Sequence, residues 1–132
     1  MTDILIPGSP GELVDKITIL ELKLNHIQDP EKRTNIEYEL HQLTTVFGTH
    51  VPNTPTIHTL KTALKSVNQQ LWTIEDDIRI CERHQDFGPR FIELARAVYI
   101  TNDQRAAIKK DINLHLNSAI VEEKSYQSYR PV

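Results

Sequence analysis

The sequence has a single cysteine, Cys81, so the chain cannot form an internal disulfide bond. Cys81 also falls on an apolar position of a predicted helix, where a buried thiol behaves as a small hydrophobic side chain. The six histidines are scattered along the chain, and no two of them stand at zinc-ligand spacing. We therefore expect a protein of a reducing compartment that holds no zinc.

The sequence also has no long apolar run and no excess of one charge. The run at residues 4–6 is too short for a secretory signal, and no segment approaches the roughly 20 apolar residues that span a bilayer. Fifteen Lys and Arg residues against 18 Asp and Glu give a formal net charge of -3, whereas proteins that bind a phosphate backbone are usually strongly basic. We expect a cytoplasmic protein that binds neither a membrane nor nucleic acid.

The strongest positive signal is an apolar repeat in the middle of the chain. Its members recur at alternating steps of three and four residues, the spacing of a packed helix seam. They are Ile57, Leu60, Leu64, Val67, Leu71, Ile74, Ile78 and Cys81. The repeat predicts a long helix over about residues 56–83, on the order of 40 Å in length. Such a helix would overhang its neighbours, which favours pairing with a second copy into a homodimer.

Cap signals divide the first part of the chain into two further helices. The first should begin at Ser9 and the following proline, with Glu12 completing a capping box, and should end near Gln28. The second should begin at Asp29, which is also followed by proline, and end at Gly48. The short connection between them predicts a helical hairpin.

The last part of the chain predicts two more helices. A Phe-Gly-Pro break at residues 87–89 precedes an apolar stripe that should end at Tyr99 or Ile100. Residues 101–104 have the pattern of a new capping box and would start a fifth helix. We therefore predict an all-α protein, an antiparallel bundle of about five helices in one domain over residues 1–132. Residues 1–8 should be extended and residues 122–132 irregular.

Two polar stripes are candidates for a binding site. One follows Trp72 on the long helix, and the other follows the fourth helix. Their members are Glu75, Asp76 and Arg79 on the first stripe, and Glu93, Arg96, Tyr99 and Asn102 on the second. If the stripes face each other, they could form either a pocket for a small anionic ligand or an ion network that locks the two helices in register. The spacing of three and four residues is equally typical of a solvated ladder of salt bridges.

Carboxylate pairs raise the question of a metal. Glu75 and Asp76 could hold Mg²⁺ through their oxygen atoms. Glu12 and Asp15 resemble the spaced carboxylates with which all-helical nucleotide pyrophosphatases bind Mg²⁺, but Glu12 is already assigned to a helix cap. We therefore expect no cofactor, with Mg²⁺ at Glu75 and Asp76 as the one alternative.

Four segments resemble a family of short, uncharacterised bacterial and phage proteins. They are residues 10–21 (PGELVDKITILE), 71–79 (LWTIEDDIR), 91–105 (FIELARAVYITNDQR) and 122–126 (EEKSY), spread over nearly the whole chain. The resemblance implies no known activity. It implies that the polar blocks are family motifs, and it adds Lys16 to the candidate polar site.

Two functions are open at this point. Because the strongest signals concern helix packing and no catalytic set can be written, we interpret the chain as a non-catalytic helical interaction protein. The alternative is a small cytosolic enzyme or ligand binder for a phosphorylated or carboxylated metabolite, with or without Mg²⁺, whose site lies between the third and fourth helices. There Arg79 and Arg96 would bind the anion, Glu75 and Asp76 would hold a metal or a proton, and the side chains at 99 and 102 would orient the ligand.

Overall fold

The computed structural model describes residues 3–132, and over that range the chain forms four α-helices and no strand. The helices are α1 (Pro10–His26), α2 (Pro30–His50), α3 (Pro55–Arg83) and α4 (Pro89–His115). Residues 3–9 and most of residues 116–132 have no regular secondary structure. Residues 1 and 2 of the predicted extended segment lie outside the described residues. The all-α prediction is confirmed, but the prediction of about five helices is wrong, since the described residues form four.

The predicted break at residues 101–104 is absent because α4 runs through it. Thr101 is only 6% exposed and shares a helix face with Leu94 and Ile112, which are also buried. Neither glycine nor proline occurs between Arg90 and His115, so nothing in the backbone chemistry stops the helix. Thr101 and Arg105 place polar side chains in the stripe that packs inward. The apolar pattern is therefore interrupted although the helix is not.

The starts of the first two helices match the predicted cap signals, and the third helix begins in the same way. Each has proline in its first turn and a side-chain cap from the residue before it, and these caps are Ser9, Asp29 and Thr54. The capping box predicted at Ser9 is only half formed. Ser9 Oγ accepts a hydrogen bond from the Glu12 N–H at 3.1 Å, but the Glu12 carboxylate turns to Lys109 Nζ at 2.7 Å.

Two helix ends differ from the prediction. The first helix ends at His26, two residues before the predicted end near Gln28. Arg33 Nη1 donates to two carbonyl oxygens at this end of α1, at 2.6 and 2.9 Å. The second helix continues to His50, and Gly48 lies inside it without the positive φ of a glycine cap. The Arg33 contacts satisfy carbonyl groups that a helix end otherwise leaves unpaired.

Helix α1 lies at the centre of the packing. It packs against all three other helices, whereas α3 and α4 form a hairpin joined by residues 84–88. Val14 of α1, Leu64 of α3 and Ile112 of α4 are completely buried against one another, and Phe47 of α2 packs on this group. We call the end of the molecule where α1 and α3 begin and α2 and α4 end the proximal end.

The opposite end belongs to the α3–α4 hairpin. These helices have 29 and 27 residues against 17 for α1, so their loop end extends beyond α1. Every member of the predicted seam, from Ile57 to Cys81, is buried or half-buried, and the prediction of the long helix is confirmed. We call residues 80–92, which comprise the connecting loop and the adjoining helix ends, the hairpin tip. No helix of the described chain combines the length and apolar character that a bilayer crossing requires.

A Gly11→Ala substitution tests the close approach of α1 and α4. A β-carbon at position 11 would lie 2.5 Å from the Lys109 carbonyl oxygen and 2.9 Å from Asn113 Oδ1, so the helices would have to move apart. We expect the free energy of unfolding to fall by about 1–3 kcal/mol, the usual range for overpacking. Urea denaturation followed by Trp72 fluorescence measures the change.

The matched control is Gly48→Ala, since this glycine is also helical but has no atom within 4 Å of an added β-carbon. We expect this variant to match the wild type or to gain up to about 1 kcal/mol, because alanine favours a helix over glycine. Equal losses of stability at the two positions would contradict the close contact.

Candidate functional site

The most buried charged side chain is Asp15 of α1, which joins three helices. It is 1% exposed. Arg105 of α4 donates from Nε to Asp15 Oδ1 at 2.9 Å and from Nη2 to Asp15 Oδ2. Asn68 of α3 donates from Nδ2 to Asp15 Oδ1 at 2.9 Å. Because a two-point contact between guanidinium and carboxylate is strong and directional, Asp15 fixes α1 against both helices of the hairpin.

Two further buried polar residues complete the surroundings of Asp15. Thr18 donates from Oγ1 to the Asp15 carbonyl oxygen at 2.8 Å and accepts from Asn68 Nδ2 at 3.0 Å. Both Thr18 and Asn68 are buried. Each of these polar groups therefore has a partner inside the protein, as buried polar groups need to have.

A second branch extends from Asp15 to the start of α1. Lys109 Nζ lies 2.7 Å from Glu12 Oε2 and 3.7 Å from Asp15 Oδ2. One turn further along α4, Asn113 Oδ1 accepts from the Gly11 N–H at 2.7 Å. Residues 105, 109 and 113 of α4 are thus four residues apart and form one polar stripe that faces α1.

Glu122 of the C-terminal segment joins the same group of polar residues. Its carboxylate accepts from Ser9 Oγ at 2.6 Å and from Asn113 Nδ2 at 2.9 Å. We call the whole set the interhelix cluster. Its members are Ser9, Gly11, Glu12, Asp15, Thr18, Asn68, Arg105, Lys109, Asn113 and Glu122.

The cluster favours the charged form of two of its carboxylates, Asp15 and Glu122. Burial raises the pKa of Asp15, but hydrogen bonds from Arg105 and Asn68, with the positive charges of Arg105 and Lys109, outweigh burial and hold the pKa below its ordinary value of 3.8. The hydrogen bond to Asp15 in turn raises the pKa of Arg105. Burial also raises the pKa of Glu122, but hydrogen bonds from Ser9, from its own backbone and from Asn113 lower it further than burial raises it. Paired in this way, Asp15 connects α1 to α3 and α4, and Glu122 connects the C-terminal segment to the start of α1 and to α4.

Sequence reasoning missed most of the interhelix cluster. It assigned Glu12 to a cap and noted Asp15 only as a weak metal ligand, and it did not consider Asn68, Arg105 or Lys109. The signal that could have found the cluster is the spacing of Arg105, Lys109 and Asn113, four residues apart, opposite two carboxylates of α1.

The candidate residues of the first predicted stripe lie on the exposed surface of α3. Glu75 Oε2 is 3.4 Å from Arg79 Nε, in an ion pair within one helix whose side chains are both exposed. Asp76 is exposed beside them. Within residues 3–132, no three His, Cys, Asp or Glu side chains are grouped so that they could hold a metal ion. Binding of Mg²⁺ by Glu75 and Asp76 stays a prediction.

The residues of the second predicted stripe lie on the outer side of α4. Glu93 pairs with Arg90 at 3.1 Å, and Arg90 also reaches Asp77 of α3 at 3.3 Å. In the part of the chain that the structure describes, no hydrogen bond or ion pair joins the two stripes, and Arg90 links Glu93 to Asp77, which is not a member of the first stripe. Arg96 is exposed, and so is Lys16 on α1, next to the buried Asp15.

Tyr99 and Asn102 lie further along α4, where the C-terminal segment passes. The Tyr99 ring contacts the Tyr129 ring with centroids 5.4 Å apart, and Asn102 is half-buried. A cavity of about 280 Å³ lies here between α4 and the C-terminal segment, lined by Asp103 and by residues 124 and 126–130. The structure therefore places the eight predicted residues in separate groups. A ligand site between α3 and α4 stays a prediction.

The helices and the interhelix cluster define an all-α protein with a charged connection through its core. The chain belongs to a family of unknown function (DUF6165), which matches residues 5–131. No curated protein and no solved structure matches the chain. Membership of an uncharacterised family agrees with the resemblance described above, whereas the bacterial and phage origin stays a prediction.

Three of the segments that carry the resemblance meet in the interhelix cluster. Residues 10–21 supply Asp15, residues 91–105 end on Arg105, and residues 122–126 begin with Glu122. These segments are far apart in the sequence, and the cluster gives them one physical task, which is to hold α1, α4 and the C-terminal segment together.

The lowered pKa values of Asp15 and Glu122 predict that the folded protein becomes less stable as the pH falls. A carboxylate whose pKa is lower in the folded chain stabilises it fully above the unfolded pKa, and this stabilisation is lost as the pH falls through the folded pKa. For Asp15 that window begins near its ordinary value of 3.8 and extends below it. We expect the free energy of unfolding, measured in urea, to fall as the pH is lowered from about 5 to about 3, with a smaller fall in Asp15→Asn.

The control for this experiment is Glu75→Gln, because Glu75 forms an exposed ion pair that contributes little to stability. Glu75→Gln should keep the pH dependence of the wild type. A pH dependence that is the same in Asp15→Asn and the wild type would contradict the role of Asp15.

Proposed function

We propose that the protein is a non-catalytic helical interaction protein that associates through the hairpin tip. One observation carries the proposal. Three large apolar side chains, Ile80, Phe87 and Ile92, are 46%, 48% and 55% exposed. All three lie within the connecting loop or about one helical turn from it. A group of large exposed apolar side chains is typical of a surface that binds another protein.

The hairpin tip is also pre-formed. The Phe87 ring packs edge-on against the Phe91 ring, with centroids 5.2 Å apart, and Cys81 and the nearby Leu94 are buried. Because the tip is already ordered, binding loses less conformational freedom than it would in a mobile loop. The tip also extends beyond α1, so the rest of the molecule leaves it accessible.

Charged side chains surround the apolar tip. Arg90 pairs with Asp77 and Glu93, and Glu75 pairs with Arg79 within about two and a half turns of the loop. An apolar centre with a polar rim is the usual arrangement of a protein interface. Because the rim carries both signs of charge, a second copy can face it about a two-fold axis with opposite charges opposed. This favours a homodimer formed through the overhanging end of α3.

The ligand-binder alternative has less support. Its anion-binding candidate Arg79 is already paired with Glu75, and the exposed stripe around it consists of ion pairs with both signs of charge. Charges that neutralise one another on the surface are more typical of a rim than of an anion site. We therefore propose an interaction protein and not a ligand binder.

The test is a combined Phe87→Ser and Ile92→Ser substitution studied by sedimentation equilibrium over a range of protein concentrations. The wild type should have an average mass above the 15.2 kDa of one chain. Because the variant loses apolar area at the tip, its self-association should weaken at least about tenfold. Circular dichroism should show unchanged helix content, since both side chains are largely outside the core.

The matched control is Tyr38→Ser on α2, which replaces an exposed aromatic side chain far from the tip in sequence. This control should sediment like the wild type. A wild type with the mass of one chain at all concentrations, or a tip variant that associates as strongly as the wild type, would contradict the proposal.

A further inference from the structure

The proximal end carries a second unusual apolar feature, the segment that precedes α1. Its side chains Ile4, Leu5 and Ile6 are 84%, 92% and 79% exposed, and residues 3–8 have no regular secondary structure. We call residues 3–8 the arm. Three consecutive large aliphatic side chains with almost no cover are costly in water, and a surface of this kind usually has a binding partner.

Hydrogen bonds fix the base of the arm to the rest of the protein. Ser9 is buried and hydrogen-bonded to Glu122 at 2.6 Å, and the Gly11 N–H is bonded to Asn113 at 2.7 Å. These contacts place the arm at the proximal end, beside the end of α4. Leu114, next to Asn113, is also exposed.

The same end contains a cavity that suits the arm. Its volume is about 680 Å³, within the range of pockets that hold small ligands, and residues 47–53 line it where α2 ends and the loop to α3 begins. Phe47, Val51 and Pro52 supply its apolar surface, and none of the seven lining residues is Asp, Glu, Lys or Arg. A cavity without Asp, Glu, Lys or Arg side chains matches an aliphatic segment better than it matches an ionic ligand.

We propose that two copies of the chain exchange arms at their proximal ends, with Ile4, Leu5 and Ile6 of each copy filling the cavity at residues 47–53 of the other. The arm and the cavity lie at the same end of one molecule. Two copies that meet end to end about a two-fold axis therefore satisfy both arms and both cavities at once, so this interface is complete with two copies. The six residues of the arm reach at most about 20 Å when extended, enough to cross from one copy to the next.

This inference rests on the proposed function, since it names a second copy as the partner, but it uses the opposite end of the molecule. The proximal end and the hairpin tip are separated by the length of α3, about 40 Å for 29 residues. Substitutions at one end therefore leave the other end intact. The two proposals can fail independently.

The test uses disulfide cross-linking between two different full-length variants. One carries Leu5→Cys and the other Thr49→Cys, and both carry Cys81→Ser to remove the native thiol. We expect mild oxidation of the mixture to give a cross-linked dimer of the two variants. The matched control replaces Thr49→Cys by Tyr38→Cys, an exposed position on α2 outside the cavity, and its yield should be at least tenfold lower.

A variant that carries both Leu5→Cys and Thr49→Cys in one chain tests whether the arm fills its own cavity instead. A cross-linked monomer as the main product would overturn the exchange, and so would equal yields with the Thr49 and Tyr38 positions. Repeating the mixture with Phe87→Ser and Ile92→Ser separates the two proposals. If arm exchange holds, the cross-link persists there whether or not the hairpin tip associates, and its loss in that background would overturn the exchange as described.

Discussion

The rest of the structure depends on the burial of one carboxylate, Asp15, on the central helix. A buried charge costs several kcal/mol unless close partners compensate it, so the fold that buries Asp15 must also bring Arg105 and Asn68 to it. These partners come from α4 and α3, and one interaction therefore sets the position of α1 against both helices of the hairpin. Gly11 allows the same approach further along, because a β-carbon there would meet the backbone of α4. The apolar contacts of Val14, Leu64 and Ile112 fill the space that this arrangement encloses.

The central position of α1 also explains which surfaces remain open. Since α1 is shorter than α3 and α4, the charged and apolar contacts of the core are concentrated near the proximal end, and the hairpin tip extends away from them. Glu122 fixes the C-terminal segment to the start of α1, so the arm leaves the molecule beside the end of α4. The proposed association through the two ends follows from this geometry. The interhelix cluster holds the molecule together, and the exposed apolar side chains at its ends are available to partners.

The sequence was sufficient for the features that depend on local chemistry and periodicity. The seam from Ile57 to Cys81 predicted α3 because every third or fourth side chain is apolar, and Ser9 and Asp29 predicted helix starts because their oxygen atoms cap free N–H groups. The interhelix cluster could not be predicted in the same way. The spacing of Arg105, Lys109 and Asn113 marks a polar stripe on α4, but only the folded structure shows that this stripe faces Asp15. Because burial cannot be read from residue type alone, Thr101 was predicted to be a helix cap. For the same reason the two exposed polar stripes were predicted as a site, and the inward-facing stripe of residues 105, 109 and 113 was not.

The central claim is that the pairing of Asp15 with Arg105 connects the helices, and a double-mutant cycle tests it most directly. The free energy of unfolding would be measured in urea for the wild type, Asp15→Asn, Arg105→Met and the double variant. If the pairing is the connection, the two single losses are not additive, and the double variant is more stable than their sum predicts by at least about 1 kcal/mol. Losses that add to within about 0.5 kcal/mol would show that the two side chains act independently, which would contradict the claim.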